Sequence, residues 1–541
     1  MVNFALVVGG VEQTVSVTAE APLVNTTSGS LGGLVDEQRM ADLPLNGRNF
    51  VDLTFLQAGV QRDPTSKTGG PIMRGDWFSS NGTPGRSNNF LLDGAMMNNL
   101  NGNSPSTNAD WSPGVEGIRE FRVVTTGFSA EYGMKMGSQV TIVSKGGTNA
   151  FHGSLFEYFR NSALDARNFF DRKTAVTPRR LPAFVRNNFG GSVGGPIRKD
   201  KVFFFTVYEA LKERLGTTQV SQVISTAAKA NPQNAAIIRP FLQFYPNPNL
   251  EKDQFTYSPA QPTNGNYGQQ RIDYNISTAD SMFGRYTVQD SDLVLPNLIP
   301  RFGDDRTGRF QFITFSENHI FTPSLLNNFR FSYSRTNDGA KNLFEPAGAE
   351  FAFVPGLPMG LITIGGLTPI GPGGTNPLSA KQNIFTWSDD DFYTRGRHSL
   401  KFGALINRYQ QYSLTSTQVR GALVFSNAAS FLQGGPLVSV AAVTPGSTLD
   451  RSWEFSTFGL YVQDDFRITP RLTLNLGLRY EFHTTFNETH NKGSALRDLV
   501  HDAAFTVGPL FKNPSLRDFS PRFGFAWDVA GDGKTDRKSV V

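Results

Sequence analysis

Cysteine is absent from this chain, which excludes a disulfide scaffold, a thiolate metal site and a cysteine nucleophile. An oxidising compartment is permitted by that absence without being required. No stretch reaches the roughly 18 consecutive apolar residues that a membrane-crossing helix needs, so passage through a bilayer would have to be made by a closed sheet. Charge of one sign is never concentrated. The 51 basic and 46 acidic residues leave a net charge of +5, with no basic block or face that would support a nucleic-acid partner. The six histidines are scattered, with no H-E-x-x-H and no i,i+4 pair, so no zinc-enzyme motif is present and no cofactor is implied. Residues 1–10 carry a short apolar run but neither a basic stretch nor a small-residue cleavage site, which leaves export arranged otherwise or a true N-terminus upstream.

What the chain has in quantity is glycine, phenylalanine and alternation. Its 54 Gly, 46 Phe and 12% aromatic content suit turns, long loops and aromatic girdles at two membrane interfaces. Leu472, Leu474, Leu476, Leu478, Tyr480 and Phe482 fall on one face of an extended segment, with Thr473, Asn475, Gly477, Arg479, Glu481 and His483 on the other. Upstream, Phe458, Leu460, Val462, Phe466 and Ile468 alternate with Thr457, Gly459, Tyr461, Gln463, Asp465 and Arg467, and only Thr469-Pro470-Arg471 lies between the two arms. Each arm reaches the roughly 9 to 11 residues of a tilted bilayer-crossing strand. One oily and one wet face is the pattern of a barrel with lipid outside and a polar lumen; a soluble sandwich usually has shorter strands of about 5 to 6 residues.

The texture changes near Phe151. Residues 1 to about 147 hold short β-like runs, such as 13–18 and 119–125, between Gly/Asn/Ser/Pro-rich loops. Beyond, aromatic alternation predicts strands over 153–160, 185–197, 201–209, 271–277, 282–288, 309–316, 328–335, 384–393 and 398–412. Tight joints at 196–200, 277–281 and 321–324 contrast with the long stretches 337–380 and 413–450, the end-to-end asymmetry of an outer-membrane barrel. The fold class expected is mostly β: an N-terminal plug domain followed by an incomplete antiparallel transmembrane β-barrel. Incompleteness is expected because the last alternating run, 522–529, is followed by a turn and no returning strand, and an open edge has no partner in lipid.

The first region carries a series of elements that resembles the plug of TonB-dependent outer-membrane receptors. Ile72-Met73-Arg74-Gly75 is similar to the plug's I-R-G element and Leu91-Leu92-Asp93-Gly94 to its L-D-G element. Residues 117–124, containing Arg119 and Arg122, resemble its I-E-R-I-E-V strand; Glu131-Tyr132-Gly133 stands at its Y-G turn, and 137–145 resembles its closing strand. Residues 42–50, 128–133, 146–153 and the Gly-rich 187–197 narrow the resemblance to the Oar-like subgroup, large receptors often preceded by an immunoglobulin-type regulatory domain. The division this implies is a TonB-box-like segment or tail of an upstream domain at 1–20, a plug at 21–150 and a partial barrel at 151–541. Gln13, Thr14, Val15, Ser16, Val17, Thr18 and Ala19 resemble a TonB box, an extended stretch suited to β-augmentation; the alternative is the last strand of an upstream domain. Plug charges at Arg74, Arg119, Glu120 and Arg122 are candidates for ion pairs with the barrel wall, or merely for support of the plug's own sheet.

The resemblance implies outer-membrane lipid around the barrel of a Gram-negative bacterium, TonB with its inner-membrane energising complex as partner, and a scarce solute, carbohydrate, peptide or metal chelate as cargo, without covalent chemistry. An Oar-like structural or adhesive role without active transport is the second reading. Loops 337–380 and the Asn-rich plug apices around 76–110 are the expected contacts for a solute. Other motifs have plainer readings. Arg74-Gly75-Asp76 overlaps the plug element; Gly531-Asp532-Gly533-Lys534-Thr535 lacks the first glycine of a phosphate loop, since position 528 is Asp, and reads as a turn. Asp389-Asp390-Asp391 reads as a solvated run.

Overall fold

The computed structural model describes residues 28–42, 45, 48–63, 77–102, 105–107, 109, 112, 114–166, 182–444, 446–513, 515–531 and 536–540. Gln13 to Ala19, Arg74, Gly75, the Arg74-Gly75-Asp76 tripeptide and residues 532–535 lie outside the described residues.

The N-terminal region folds around a 5-stranded mixed sheet. Its strands are β1 (Leu31–Asp36), β2 (Asn89–Leu92), β3 (Ala95–Met96), β4 (Ile118–Thr126) and β5 (Gln139–Ser144), in the order β1-β4-β5-β2-β3. Only the β2–β5 pair is parallel. Apolar residues of these strands, among them Val35, Phe90, Leu92, Phe121, Val123, Val140 and Ile142, are buried with Phe50, Val51 and Leu53 in one core.

The rest of the chain builds a 14-stranded antiparallel sheet. Along its path run β6 (His152–Asn161), β7 (Phe184–Arg198), β8 (Val202–Gly216), β9 (Ala260–Asn275), β10 (Asp280–Pro296), β11 (Gly303–Thr322), β12 (Leu325–Asn342), β13 (Leu378–Arg395), β14 (His398–Thr415), β15 (Asp450–Thr469), β16 (Leu472–His483), β17 (Phe519–Asp528) and β18 (Asp536–Val540). Each pairs with its sequence neighbours, and the short Asn487–Glu488 stands off the path beside β15. The period-2 pattern sorts the faces as the sequence requires: Leu460, Val462, Leu476 and Leu478 are exposed outside, while Thr457, Gln463, Thr473 and Arg479 are buried inside.

The expectation that nothing returns after 522–529 is corrected: β18 pairs with β17, from Gly524 opposite Val540 to Asp528 opposite Asp536, and is too short and too polar to show as an alternating run. Several strands also run further than the alternation indicated. The segment predicted over 309–316 extends through 20 residues as β11, and 328–335 through 18 as β12. Their added residues lie beyond the oily band, where no hydrophobic period marks them but the ladder of backbone bonds continues. At the short-turn end, connections such as 276–279 and 396–397 are brief; at the other end the loops are long. These loops are not open chain. Residues of 217–259, 297–302, 343–377 and 416–449 share a buried core containing Ile238, Phe241, Phe244, Phe302, Met359, Ile362, Ile370, Phe425 and Phe431, with Phe344, Phe351 and Phe353 packed against it. Short strands Leu361–Ile364, Ala422–Phe425 and Leu437–Ala441 form a small sheet in this dome.

Candidate functional site

The N-terminal sheet sits inside the barrel, and the surface between them is where this molecule concentrates buried polar chemistry. The contact starts from an apolar anchor. Phe310 and Phe312, inward-facing residues of β11, are fully buried in the core of the plug. Met96 packs similarly among Ile384, Tyr409 and Phe455 of the wall.

Around that anchor the wall supplies most of the cations and the plug most of the acceptors, with Arg48 of the plug against Glu209 of the wall as an exception. Asp93 and Gly94 make the two-residue turn between β2 and β3, with φ of 47° and 85°. Positive φ at both positions is what a type I′ hairpin turn demands, and Asp-Gly meets that demand with little strain. The turn aims the Asp93 carboxylate sideways. It accepts from the Ser144 backbone N–H at 3.0 Å and from its hydroxyl at 2.7 Å, tying β2 to β5. Its other neighbour is Arg285 of β10, whose Nε lies 2.7 Å away with no side-chain exposure. Arg285 also donates to the Leu92 carbonyl at 3.0 Å and to the hydroxyls of Thr287 and Thr314 at 2.7 Å each. Arg271 of β9 donates to the Ser144 hydroxyl at 2.8 Å and approaches Asp93 at 4.0 Å. Arg330 of β12 closes over Gly94, where a Cβ would come within 2.5 Å of its side chain.

A second contact joins Arg48, Glu116 and wall residue Glu209. Arg48 donates to Glu116 at 2.6 Å and lies 3.8 Å from Glu209, which also accepts the Glu116 backbone N–H at 3.0 Å. Burial raises the Glu116 pKa, but hydrogen bonds from Ser154 and Arg48 and the charge of Arg48 outweigh it and leave the carboxyl below its ordinary value.

A third contact grips the 128–134 segment. Arg479 of β16, with 1% side-chain exposure, donates to the carbonyls of Ala130 and Glu131 at 3.2 Å each and pairs with Glu481 at 2.6 Å. Glu481 in turn accepts the Met134 N–H at 3.1 Å. Arg522 of β17 donates to the carbonyls of Phe128 and Tyr132 at 3.0 and 2.7 Å, and Lys401 of β14 pairs with Glu131. Burial first, then the Glu131 charge, pushes the Tyr132 phenol up to about 12. Between plug and wall at this short-turn end lies a cavity of about 580 Å³, lined by Arg119, Glu131, Tyr132, Arg330, Asp390 and Lys401 among others.

The structure thus places the described candidate residues unequally. Leu92, Asp93 and Gly94 come together at the wall. Arg119 instead stands 3.8 Å from Glu120 with 59% side-chain exposure, within the plug's own strand. Arg122 lines a smaller cavity of about 230 Å³ beside Tyr132 and Arg522. Ion pairs with the wall were expected from Arg74, Arg119 or Arg122; a different plug cation, Arg48, meets wall Glu209, and at the other two contacts the polarity is reversed, because Arg271, Arg285, Arg479 and Arg522 project from inward positions of the strands. Arg479 stands on the wet face expected for its alternating run, whereas nothing local marks Arg271, Arg285 or Arg522 as partners of the plug.

Three other expectations change. Asn-rich positions of the plug are largely engaged inside the molecule: Asn88 binds backbone at Phe78 and Ser138, Asn98 binds Phe90 and Asn88, and Asn99 donates to Asp338 of the wall at 2.9 Å. Loop 337–380 turns its phenylalanines into the dome core. Of the run 389–391, Asp390 faces inward and accepts from Tyr461, while Asp389 and Asp391 face outward and both accept from Asn327. Gly190-Gly191-Ser192-Val193-Gly194 has the spacing of a nucleophile elbow, yet it runs mid-strand through β7, paired on both sides, with no turn into a helix.

The model of the outer membrane beta barrel domain family matches residues 143–240 and 229–536. Among curated proteins, the TonB-dependent transporter Oar of Myxococcus xanthus is 27% identical over 215 residues, which is 38% of this chain and 19% of Oar. Among solved structures, the outer membrane transporter YddB from Escherichia coli superposes with a TM-score of 0.58 at 12% identity, covering 96% of this chain and 62% of that one. The ferripyoverdine receptor of the Pseudomonas aeruginosa outer membrane gives 0.56 at 12% identity over 94% of this chain and 56% of that one. The siderophore receptor PirA from Acinetobacter baumannii gives 0.54 at 14% identity over 92% and 60%. The chain therefore spans less than two thirds of the length of these relatives. With most of its length matched by the family model and an N-terminal sheet seated in the lumen, the chain belongs to the outer-membrane β-barrel family, is placed in the outer membrane of a Gram-negative bacterium, and has the plugged-barrel fold of the TonB-dependent receptors.

Proposed function

We propose that the protein is a TonB-dependent receptor that takes up a scarce solute, with residues 21–150 as a movable plug and 151–541 as barrel wall. The observation that carries this reading is the plug–wall interface: acceptors on Asp93 and on the 128–134 segment, cations on the wall. A plug meant only to seal would gain more from apolar packing, because charges taken out of water must recover a desolvation cost of several kcal/mol per ion. Ion pairs are directional and brittle, so a pull that displaces one partner releases the whole contact. On this reading residues 13–19 are the handle that TonB grasps by strand addition, and Asp93-Gly94 is a catch against the wall.

Transport and adhesion separate on energy. In a host carrying the full-length receptor, depletion of solutes from the growth medium is compared among wild type, a receptor deletion and a TonB deletion. Loss of the same solute's depletion in both deletions supports transport. Cell attachment that depends on the receptor but not on TonB, with no depleted solute, would replace it with the adhesive role.

A further inference from the structure

Outside the plug interface, a cluster of metal-ligating side chains stands on the outer face of the wall at its short-turn rim. Glu317 and His319 are two residues apart on β11 and so share a face. That face points outward, because Phe310, Phe312, Thr314 and Ser316, of opposite parity, are buried toward the lumen. Cross-strand register sets Asp280 of β10 directly opposite His319, and Met282 opposite Glu317. Asp280 also faces outward, since Arg285, Thr287 and Gln289 of the same strand are buried inward.

One ligand atom from each of Asp280, Glu317 and His319 lies within 4.8 Å of the others. An ion bound at about 2.0 to 2.2 Å from nitrogen and oxygen donors holds them roughly 3.5 to 4 Å apart, so only small side-chain rotations are needed. Two of the three are already held in place: the Ser277 hydroxyl donates to Asp280 at 2.8 Å, and the His319 ring, paired through Nδ1 with Asp280, packs edge-on against Phe321 at 4.3 Å. Among the described residues, no lysine or arginine pairs with Asp280 or Glu317. Two carboxylates and a neutral imidazole match the charge of one divalent ion, and the imidazole favours the zinc class over magnesium or calcium.

We propose that Asp280, Glu317 and His319 form a zinc-class divalent-cation site that clasps β10 to β11 at the rim. Glu317-x-His319 on one strand with Asp280 across from it fixes three ligands on rigid backbone and leaves a coordination position open to water. The barrel contains its own control. His398 pairs with Asp464 at 2.7 Å and stacks on Phe466 at 4.4 Å, on the same outer rim, without a third ligand among the described residues.

The test is Zn²⁺ titration of tag-free, full-length receptor folded in detergent, in competition with a chromogenic chelator. One Zn²⁺ per chain is expected, weakened about tenfold or more by His319→Ala and by Glu317→Gln, as loss of one of three ligands implies, and unchanged by His398→Ala. No stoichiometric uptake, binding by Glu317→Gln equal to wild type, or equal loss in His398→Ala would overturn the proposal. Should a variant fail to assemble, X-ray absorption of the wild type loaded with one Zn²⁺ decides: a shell of one imidazole nitrogen and oxygens is expected, and an oxygen-only or multi-imidazole shell overturns it.

Discussion

Asp93 shows how much one residue's role depends on partners far along the chain. Its turn was legible, because Asp-Gly between short apolar runs is a hairpin signal in any sequence. Its partner was not, since nothing local ties Asp93 to Arg285, and only closure of the wall brings them to 2.7 Å. Asp93→Asn tests the charge by itself, because Asn tolerates the same positive φ and can still accept from Ser144. Leaving Arg285 buried without its counter-ion should cost about 3 to 5 kcal/mol, seen as a lower plug-unfolding temperature in calorimetry of the detergent-folded receptor. Gly94→Ala should also destabilise, through both its φ of 85° and the 2.5 Å approach to Arg330. Glu116 sets a pH dependence. Its pKa is lowered in the folded state, so its contribution to plug docking is present above the ordinary carboxylate range and is lost as pH falls through the depressed value. Plug retention followed by limited proteolysis should therefore weaken on acidification below about pH 4, and in Glu116→Gln that acid-dependent step should shrink.

Strands and loops differ in how much of themselves they announce. A strand whose outer face meets lipid carries its assignment in every second residue, which is why the β15–β16 hairpin could be read directly. Leu476→Arg, outward and 38% exposed, should cost about 2 to 4 kcal/mol near the bilayer midplane. Asn475→Arg should be milder, because that inward side chain lies beside the Asp465 carboxylate, 2.7 Å from its amide. Refolding titrations into lipid vesicles measure both, and equal costs would contradict the facing. The dome was illegible for the opposite reason: its core draws on four loops that are distant in sequence, and none of them has a period of its own. Phe244 is buried there within 5.4 to 5.5 Å of the Phe302 and Phe351 rings. Phe244→Ala should cost the dome about 3 to 5 kcal/mol, making loops 217–259 and 343–377 sensitive to added protease while the barrel keeps its heat-modifiable mobility on a gel.

At the scale of the whole molecule, the wall surrounds a plug held by an apolar anchor at Phe310 and Phe312 and by polar contacts around it, and the proposed handle at 13–19 precedes that plug. If the handle pairs through main-chain bonds, single alanine changes there should be tolerated, whereas Val15→Pro removes a donor and bends the strand. Energy-dependent uptake should then be abolished with surface binding of solute intact; unchanged uptake would assign the segment to an upstream domain. The absence of cysteine from these 541 residues suits a direct measurement of plug motion: with any cysteine elsewhere in the full-length receptor replaced by serine, a thiol signal comes from an engineered site. Thr107 is fully buried in the plug and its hydroxyl lies 2.6 Å from that of Ser291 in the wall. In growing cells carrying the full-length receptor with Thr107→Cys, labelling by a membrane-impermeant thiol reagent in the periplasm should be fast when TonB and the proton gradient are both present. It should fall to background when either is removed. Labelling that is equal with and without TonB would contradict the account of a plug pulled from its wall.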